Sequence, residues 1–209
     1  MDFWSRLEDV RSRWNVLDHP FYTRWSAGEL TGEELSVYAA EYRHAVVALA
    51  DAAAGAAAMA GPELEGALSA HAAEEASHVA LWDRFATAFD APAGVEPEPR
   101  TAECAQAWAG EGRGLLESLV ALYAIESGQP AISATKLEGL QEHYGHPDGP
   151  ATDYFRLHAV LDVEHAAAER ALIEPRLDGA DEDALLAEAE RVLAANWRLL
   201  DGVEALSGR

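Results

Sequence analysis

The chain has few basic residues. It contains 15 Lys and Arg residues against 37 Asp and Glu residues, which gives a formal net charge of −22 at pH 7. Nucleic acids and anionic membrane surfaces are bound mainly through clusters of basic side chains. The composition therefore argues against a nucleic acid and against a membrane as partners of this protein.

Lysine in particular is almost absent, because Lys136 is its only occurrence. A compositional drift from lysine to arginine should have removed this residue too, unless its chemistry is needed. The alternative is a chance survivor on a solvated helix surface. Lys136 follows Glu126 by ten residues, so its aliphatic stem is expected to reach the same part of the core.

Cysteine, long apolar runs and strand patterns are also scarce. Cys104 is the only cysteine, which excludes an intramolecular disulfide. No apolar run reaches the about 18 residues of a membrane span, and the N-terminal sequence lacks the regions of a secretory signal. We therefore expect a soluble, cytoplasmic, all-α protein that forms one domain over residues 1–209.

The periodicity of apolar residues predicts eight helices and one helical turn. Thr31 and Glu34 have the spacing of a capping box, which marks the start of a long helix. Pro130 is expected to separate two helices, because proline removes a backbone donor. The helices are predicted at about 2–14, 32–60, 62–90, 101–109, 114–127, 130–144, 152–174 and 181–206, with a turn at 21–25.

A His-Asp-His pattern is the most informative feature of the chain. His158, Asp162 and His165 stand at i, i+4 and i+7 in a stretch without glycine or proline. On a helix they share one face, because two turns take about 7.2 residues. Two imidazoles and a carboxylate suit iron, manganese or zinc; the alternative is a pair of core histidines and a chance aspartate.

A second predicted helix repeats this spacing with His71, Glu75 and His78. Glu74 is an alternative ligand, since both glutamates lie near the helix face of His78. The repeated spacing favours Glu75, because it reproduces the carboxylate-to-histidine interval of the first motif.

Two further carboxylates occur within apolar helical stretches. Glu126 follows the run Leu119 to Ile125, where an unpaired carboxylate would be costly to bury. Glu41 interrupts another helix, although a glutamate on a solvated helix surface is equally ordinary in so acidic a chain. Carboxylates and imidazoles on four helices are how helical bundles hold two iron or manganese ions.

Residues 18 to about 175 resemble the heme-oxygenase-like di-iron oxidases and oxygenases, a group related to thiaminase-II and pyrroloquinoline-quinone-synthase proteins. The resemblance is carried by Leu-Asp-His-Pro-Phe-Tyr-Thr-Arg-Trp, by Leu-Tyr-x-x-Glu-Ser and by His-x3-Asp-x2-His-Ala. Thiaminase-II enzymes use a cysteine near the position of Tyr123 or Ala124, and this chain has no cysteine there. The quinone synthases lack this carboxylate set. Neither of these two relatives is therefore favoured as a functional match. The resemblance implies an all-α, single-domain, heme-oxygenase-like helical bundle with two Fe(II), or iron and manganese, and with O2 and an external reductant.

Within this family the chain is most similar to the branch that makes para-aminobenzoate for folate synthesis from one of its own tyrosines. The resemblance matches Tyr22 with the sacrificed tyrosine, Tyr38 with a second implicated tyrosine, and Lys136 with the amino-nitrogen donor.

The ligand set departs from the pattern of that branch at two positions. Where the branch has its first glutamate ligand, seven residues before a histidine, this chain has His71. The ligand is therefore Glu75, Glu74 or His71 itself. Glu41 is the second departure, because some N-oxygenases of the family have an extra carboxylate ligand on this helix, whereas the para-aminobenzoate branch does not rely on one.

Two other functions remain open at this point. One is a di-iron oxygenase that acts on an external amine, amino acid or fatty acid, by N-oxygenation or by oxidative C–C cleavage. The other is a non-enzymatic helical bundle that binds metal or a protein partner. O2 and a small-molecule substrate are the expected partners, and a homodimer is compatible with all three interpretations.

Overall fold

The computed structural model describes residues 1–208, and every regular element within them is helical. The expected all-α class is therefore confirmed. Within residues 1–208 nine α-helices follow one another: α1 Phe3–Arg13, α2 Pro20–Ser26, α3 Gly32–Ala58, α4 Glu65–Ala88, α5 Pro99–Ala109, α6 Leu115–Glu126, α7 Gln129–Glu142, α8 Asp153–Ile173 and α9 Glu182–Leu206. Short 3₁₀ turns at Val16–Asp18 and Glu174–Arg176 connect α1 to α2 and follow α8. No helix in residues 1–208 is long and apolar enough to cross a membrane.

The helix ends follow local chemistry. The Thr31 side chain accepts the Glu34 N–H, and the Glu34 carboxylate accepts the Thr31 N–H, so the predicted capping box is present. α4 begins three residues later than predicted, because the Leu64 and Glu65 N–H groups first close a turn on the carbonyl of Gly61.

The break between α6 and α7 positions two chemically important residues. α6 ends at Glu126 and α7 begins at Gln129, with Pro130 in its first turn. Proline is tolerated there because the first helical N–H groups have no partner within the helix. Glu126 and Lys136 therefore lie on different helices, as the sequence predicted.

The long helix α3 packs against α4 and α5, whereas α8 packs against α4, α6 and α7. Trp25, Trp82 and Trp108 are fully buried between these helices, as expected for core aromatics. Facing positions on α4, α6 and α8 meet in the interior, and there the aromatic core gives way to imidazoles and carboxylates.

Candidate metal centre

Helix α8 directs its predicted motif into the core. His158 and Asp162 are 2 % and 1 % exposed, and the His165 side chain is 11 % exposed. The Nδ1 atom of His158 lies 2.7 Å from the carbonyl oxygen of Tyr154, to which it donates. This bond selects the tautomer with an unprotonated Nε2, which is the arrangement that metal-ligating histidines commonly show.

One group of potential ligands combines α4 with the first part of α8. The ligand atoms of Glu75, His78 and His158 lie within 4.8 Å of one another, and all three residues are buried. The His78 Nδ1 atom is 2.9 Å from Glu75 Oε1, and the rings of His78 and His158 have centroids 4.5 Å apart.

A second group combines α4, α6 and the next turn of α8. The ligand atoms of His71, Glu126 and His165 also lie within 4.8 Å of one another. Glu126 Oε1 is 3.1 Å from His71 Nε2, and Glu126 Oε2 is 3.5 Å from His165 Nδ1. Glu126 is 1 % exposed, so the carboxylate that the sequence singled out is buried between two imidazoles.

Asp162 lies between the two groups along α8. Its Oδ1 atom is 3.7 Å from His165 Nδ1. Burial raises the pKa of Asp162 to about 9, and the nearby carboxylates of Glu126 and Glu75 act in the same direction. A divalent cation beside it would favour the ionised form instead, because a bound ion is the largest local charge in such a site.

The histidines of the two groups differ in electrostatics. Burial lowers the pKa of His158 to about 3, so its ring is neutral and able to donate a lone pair. Burial also tends to lower the pKa of His165, but the hydrogen bond and the negative charge of Glu126 outweigh this effect and raise that pKa to about 9. A metal ion bound at His165 would have to displace this proton.

The donor atoms fit a pair of divalent cations. Several of them are buried and make no well-angled hydrogen bond within residues 1–208, although such groups are nearly always satisfied in folded proteins. These atoms are His71 Nε2, Glu75 Oε1, His78 Nδ1, both oxygens of Glu126, His158 Nε2, both oxygens of Asp162, and His165 Nδ1. Mixed nitrogen and oxygen donors of this kind suit iron or manganese.

The structure separates the alternatives among the glutamates. Glu75 is 2 % exposed, whereas the Glu74 side chain is 52 % exposed and its Oε2 contacts His165 Nε2 at 3.0 Å from the solvent side.

Glu41 belongs to neither ligand group found in residues 1–208. Its Oε2 accepts the backbone N–H of Glu98 at 3.0 Å, in the segment that leads into α5. The expectation that Glu41 is a ligand stays a prediction: in this structure one of its carboxylate oxygens contacts this loop.

Lys136 is buried rather than solvated, with 1 % of its surface exposed. Its Nζ atom lies over five aromatic rings, and none of the ion pairs in the described part of the chain includes it. Burial lowers the pKa of Lys136 well below its ordinary value. The centroid distances are 4.7 Å to Tyr42, 5.1 Å to Phe155, 5.3 Å to Tyr38, 5.5 Å to Tyr22 and 5.7 Å to Trp82.

The two predicted tyrosines form one pair beside this amine. The hydroxyl oxygens of Tyr22 and Tyr38 are 3.3 Å apart, and both residues are at most 1 % exposed. Burial is the main cause that raises the pKa of both phenols well above the ordinary value, so both are neutral.

Sequence reasoning missed two residues of this region. The Tyr154 ring stacks on His158 with centroids 3.9 Å apart, and it lies edge-on to Trp82 at 5.0 Å. Glu169 is 2 % exposed on α8. Both were detectable from spacing, because Tyr154 precedes His158 by four residues and Glu169 follows His165 by four.

Imidazoles and carboxylates that face one another inside an all-α bundle are the side chains with which helical proteins hold metal ions in their core. Residues 36–197 match the sequence model of a heme-oxygenase-like family described as iron-containing redox enzymes. The chain belongs to this family and is an iron-containing oxidoreductase. This result excludes the non-enzymatic bundle.

Curated relatives cover almost the whole chain. The chain is 30 % identical over 222 residues to a protein of Nitrosomonas europaea named 4-aminobenzoate synthase, with 96 % of this chain and 90 % of the relative covered. It is 32 % identical over 229 residues to a protein of the same name from Chlamydia trachomatis, with 96 % and 91 % covered. The expected likeness to the para-aminobenzoate branch is confirmed.

Solved structures confirm the heme-oxygenase-like fold. A protein domain of unknown function with this fold, from Shewanella denitrificans, has a TM-score of 0.82 at 19 % identity, covering 100 % of this chain and 94 % of that one. A TenA homologue from P. horikoshii has a TM-score of 0.74 at 17 % identity, with both chains fully covered.

Proposed function

We propose that this protein is a dinuclear-metal, O2-dependent oxidase that makes para-aminobenzoate from one of its own tyrosines, with Lys136 as the nitrogen donor. The observation that carries the proposal is the burial of the only lysine among aromatic rings that include Tyr22 and Tyr38. The names of the relatives support the same product.

Seven residues would hold the two metal ions, either two Fe(II) or one iron and one manganese. They are His71, Glu75, His78, Glu126, His158, Asp162 and His165. When bound, the metal pair would supply the redox chemistry with O2 that side chains alone do not provide, and an external reductant would return it to the reduced state.

The surroundings of Lys136 keep its amine reactive. An ammonium ion surrounded by rings, without a carboxylate in reach, is poorly solvated, so burial lowers the pKa of Lys136 and favours the neutral amine. The lone pair on Nζ is then free to attack an electron-poor carbon. Oxidation of a neighbouring phenol would create such a carbon, and the electrons would pass to O2.

The pairing of Tyr22 with Tyr38 places two oxidisable rings at similar distances from Nζ. Their hydroxyl contact holds both rings in fixed orientation, and their burial excludes water that would compete with the amine. Tyr22 is the sacrificed residue in this proposal, and Tyr38 assists its oxidation.

The direct test is the intact mass of the chain after reaction with iron, a reductant and O2. A self-sacrificing enzyme forms para-aminobenzoate and loses mass at Tyr22 or Lys136, as mapped by peptide mass spectrometry. Lys136→Arg is the matched control, because it keeps a basic side chain but cannot supply a neutral amine. Full product formation by Lys136→Arg would refute the role of Lys136.

An external substrate is the second candidate. A cavity of about 450 Å³ lies between α1, α6, α7 and α9, and Ile125 and Ser127, the neighbours of Glu126, line it. The cavity could admit a small amine or carboxylic acid. Turnover that leaves the chain mass unchanged and consumes an added substrate would favour this function.

A further inference from the structure

Glu169 continues the ligand stripe of α8 by one more turn. His158, Asp162, His165 and Glu169 stand at i, i+4, i+7 and i+11. Eleven residues at about 100° each bring Glu169 to within about 20° of the helix face of His158. The side chain therefore leaves α8 on the same side as the three residues that face the metal centre.

The Glu169 carboxyl group is buried without compensation from the protein. The residue is 2 % exposed, and neither carboxylate oxygen has a hydrogen-bond partner in residues 1–208. No Arg, Lys or His of that part of the chain forms an ion pair with it. Leaving such a group unpaired is costly, and a solvated helix position would have avoided the cost.

The charged groups that act on the Glu169 carboxyl group belong to the metal centre. Burial raises the pKa of Glu169 well above its ordinary value, and the carboxylates of Glu126, Asp162 and Glu75 raise it further. Glu169 also lies one helical turn beyond His165, which places it nearest, along α8, to the group that contains His71, Glu126 and His165.

Glu169 would balance the charge of two divalent cations among the buried carboxylates of the centre. Glu75, Glu126, Asp162 and Glu169 are the four carboxylates, each 1–2 % exposed. Four ionised carboxylates neutralise two divalent cations, whereas three would leave one positive charge in a buried region. Buried charges are stable when they are paired or bound to metal.

We propose, building on the metal centre of the proposed function, that Glu169 is an eighth metal-ligating residue and binds the ion held by His71, Glu126 and His165. Its carboxylate completes the oxygen ligands of that ion and the neutrality of the site. This assignment explains why a glutamate occupies an otherwise unfavourable position on α8.

The test compares Glu169→Gln with Glu164→Gln, an exposed glutamate on the same helix. Both variants and the wild type are titrated anaerobically with Fe(II) or Mn(II) against a chelator, and retained metal is counted by elemental analysis. Wild type and Glu164→Gln should hold two ions. In Glu169→Gln the affinity for one ion should fall by about tenfold or more, while the other ion stays bound.

Spectroscopy distinguishes a ligand from a merely structural residue. The Co(II) absorption spectrum of Glu169→Gln should change, because one oxygen ligand is lost, whereas that of Glu164→Gln should not. If Glu169→Gln does not fold, Glu169→Leu replaces it, since leucine suits an apolar environment; it should fold with chelator present and lose the same ion.

The assignment of Glu169 would be overturned if Glu169→Gln or Glu169→Leu bound two ions with the same affinity and the same Co(II) spectrum as the wild type. The proposed function would remain intact. A wild-type protein that binds neither Fe(II) nor Mn(II) would instead overturn the metal centre of the proposed function, and the assignment of Glu169 with it.

Discussion

Lys136 illustrates how the surroundings of one residue determine its chemistry. The same side chain on a helix surface would be an ordinary solvated cation. Here it is enclosed by rings whose faces attract a cation only weakly compared with water, so desolvation dominates and lowers the pKa of the amine well below its ordinary value. The nucleophile that the proposed reaction needs is therefore a consequence of burial.

This protonation state predicts how stability depends on pH. An unfolded lysine has a pKa of about 10.4, and the folded pKa of Lys136 lies below that value. Between the two values the unfolded chain binds one proton more, so stability rises with pH in that window. In that window the unfolding free energy of the wild type, relative to that of Lys136→Met, should rise by about 1.4 kcal/mol per pH unit.

Urea unfolding with chelator present, at several pH values up to about 10, measures this difference. The carboxylates and tyrosines that both proteins share contribute equally to the pH dependence of their stability, so these contributions cancel in the difference. If the unfolding free energies of the two proteins changed in parallel with pH, Lys136 would be protonated in the folded protein, against the proposed role.

His158 provides a second test at the residue scale. Its Nδ1 is engaged by the Tyr154 carbonyl and its Nε2 faces the ligands from α4. His158→Ala should therefore lose most of the bound iron, as counted by elemental analysis, without loss of helical content. His143→Ala, which alters an exposed histidine, is the control and should bind metal like the wild type. Equal iron in both variants would remove His158 from the centre.

At the scale of elements, close packing of α7 on α2 sets the position of Lys136. Gly139 lies one turn after Lys136, and a Cβ added there would come within 2.5 Å of Trp25 Nε1. The same indole donates to the carbonyl oxygen of Lys136 at 3.3 Å. The absence of a side chain at Gly139 thus allows the contact that holds Lys136 beneath its aromatic rings.

Gly139→Ala should consequently separate α7 from α2. We expect a loss of about 1–3 kcal/mol in the unfolding free energy, as for other overpacked cores, and a change in tryptophan fluorescence. Gly55→Ala is the matched control, because open space surrounds that position on α3 and alanine favours a helix by about 0.5–1 kcal/mol. The prediction would be wrong if both variants were equally stable.

At the scale of the whole molecule, the negative charge opposes folding. A formal net charge of −22 on 209 residues produces self-repulsion in the compact state, and salt screens it. Raising NaCl from 0.05 M to 0.5 M should stabilise the chelator-treated protein by about 1 kcal/mol, or about 2–4 °C in Tm. Thermal unfolding followed by circular dichroism measures the shift, and a lower Tm at high salt would contradict it.

The sequence by itself determined the helices and everything that lies within one helix. His158, Asp162 and His165 share a face because each residue of a helix turns by a fixed angle, whatever surrounds it. The capping box of α3 and the break at Pro130 are equally local. The same rule could have found Tyr154 and Glu169, since each is one turn from a histidine of the motif.

Only the tertiary structure decided which helices face one another. It joined Glu126 of α6 to His71 and His165, turned Glu75 inward and Glu74 outward, and paired Glu41 with a loop. Angles around one helix cannot settle such choices, because Glu74 and Glu75 lie almost equally close to the face of His78. Interhelical packing settles them, since it sets the distance between side chains that are far apart in the chain.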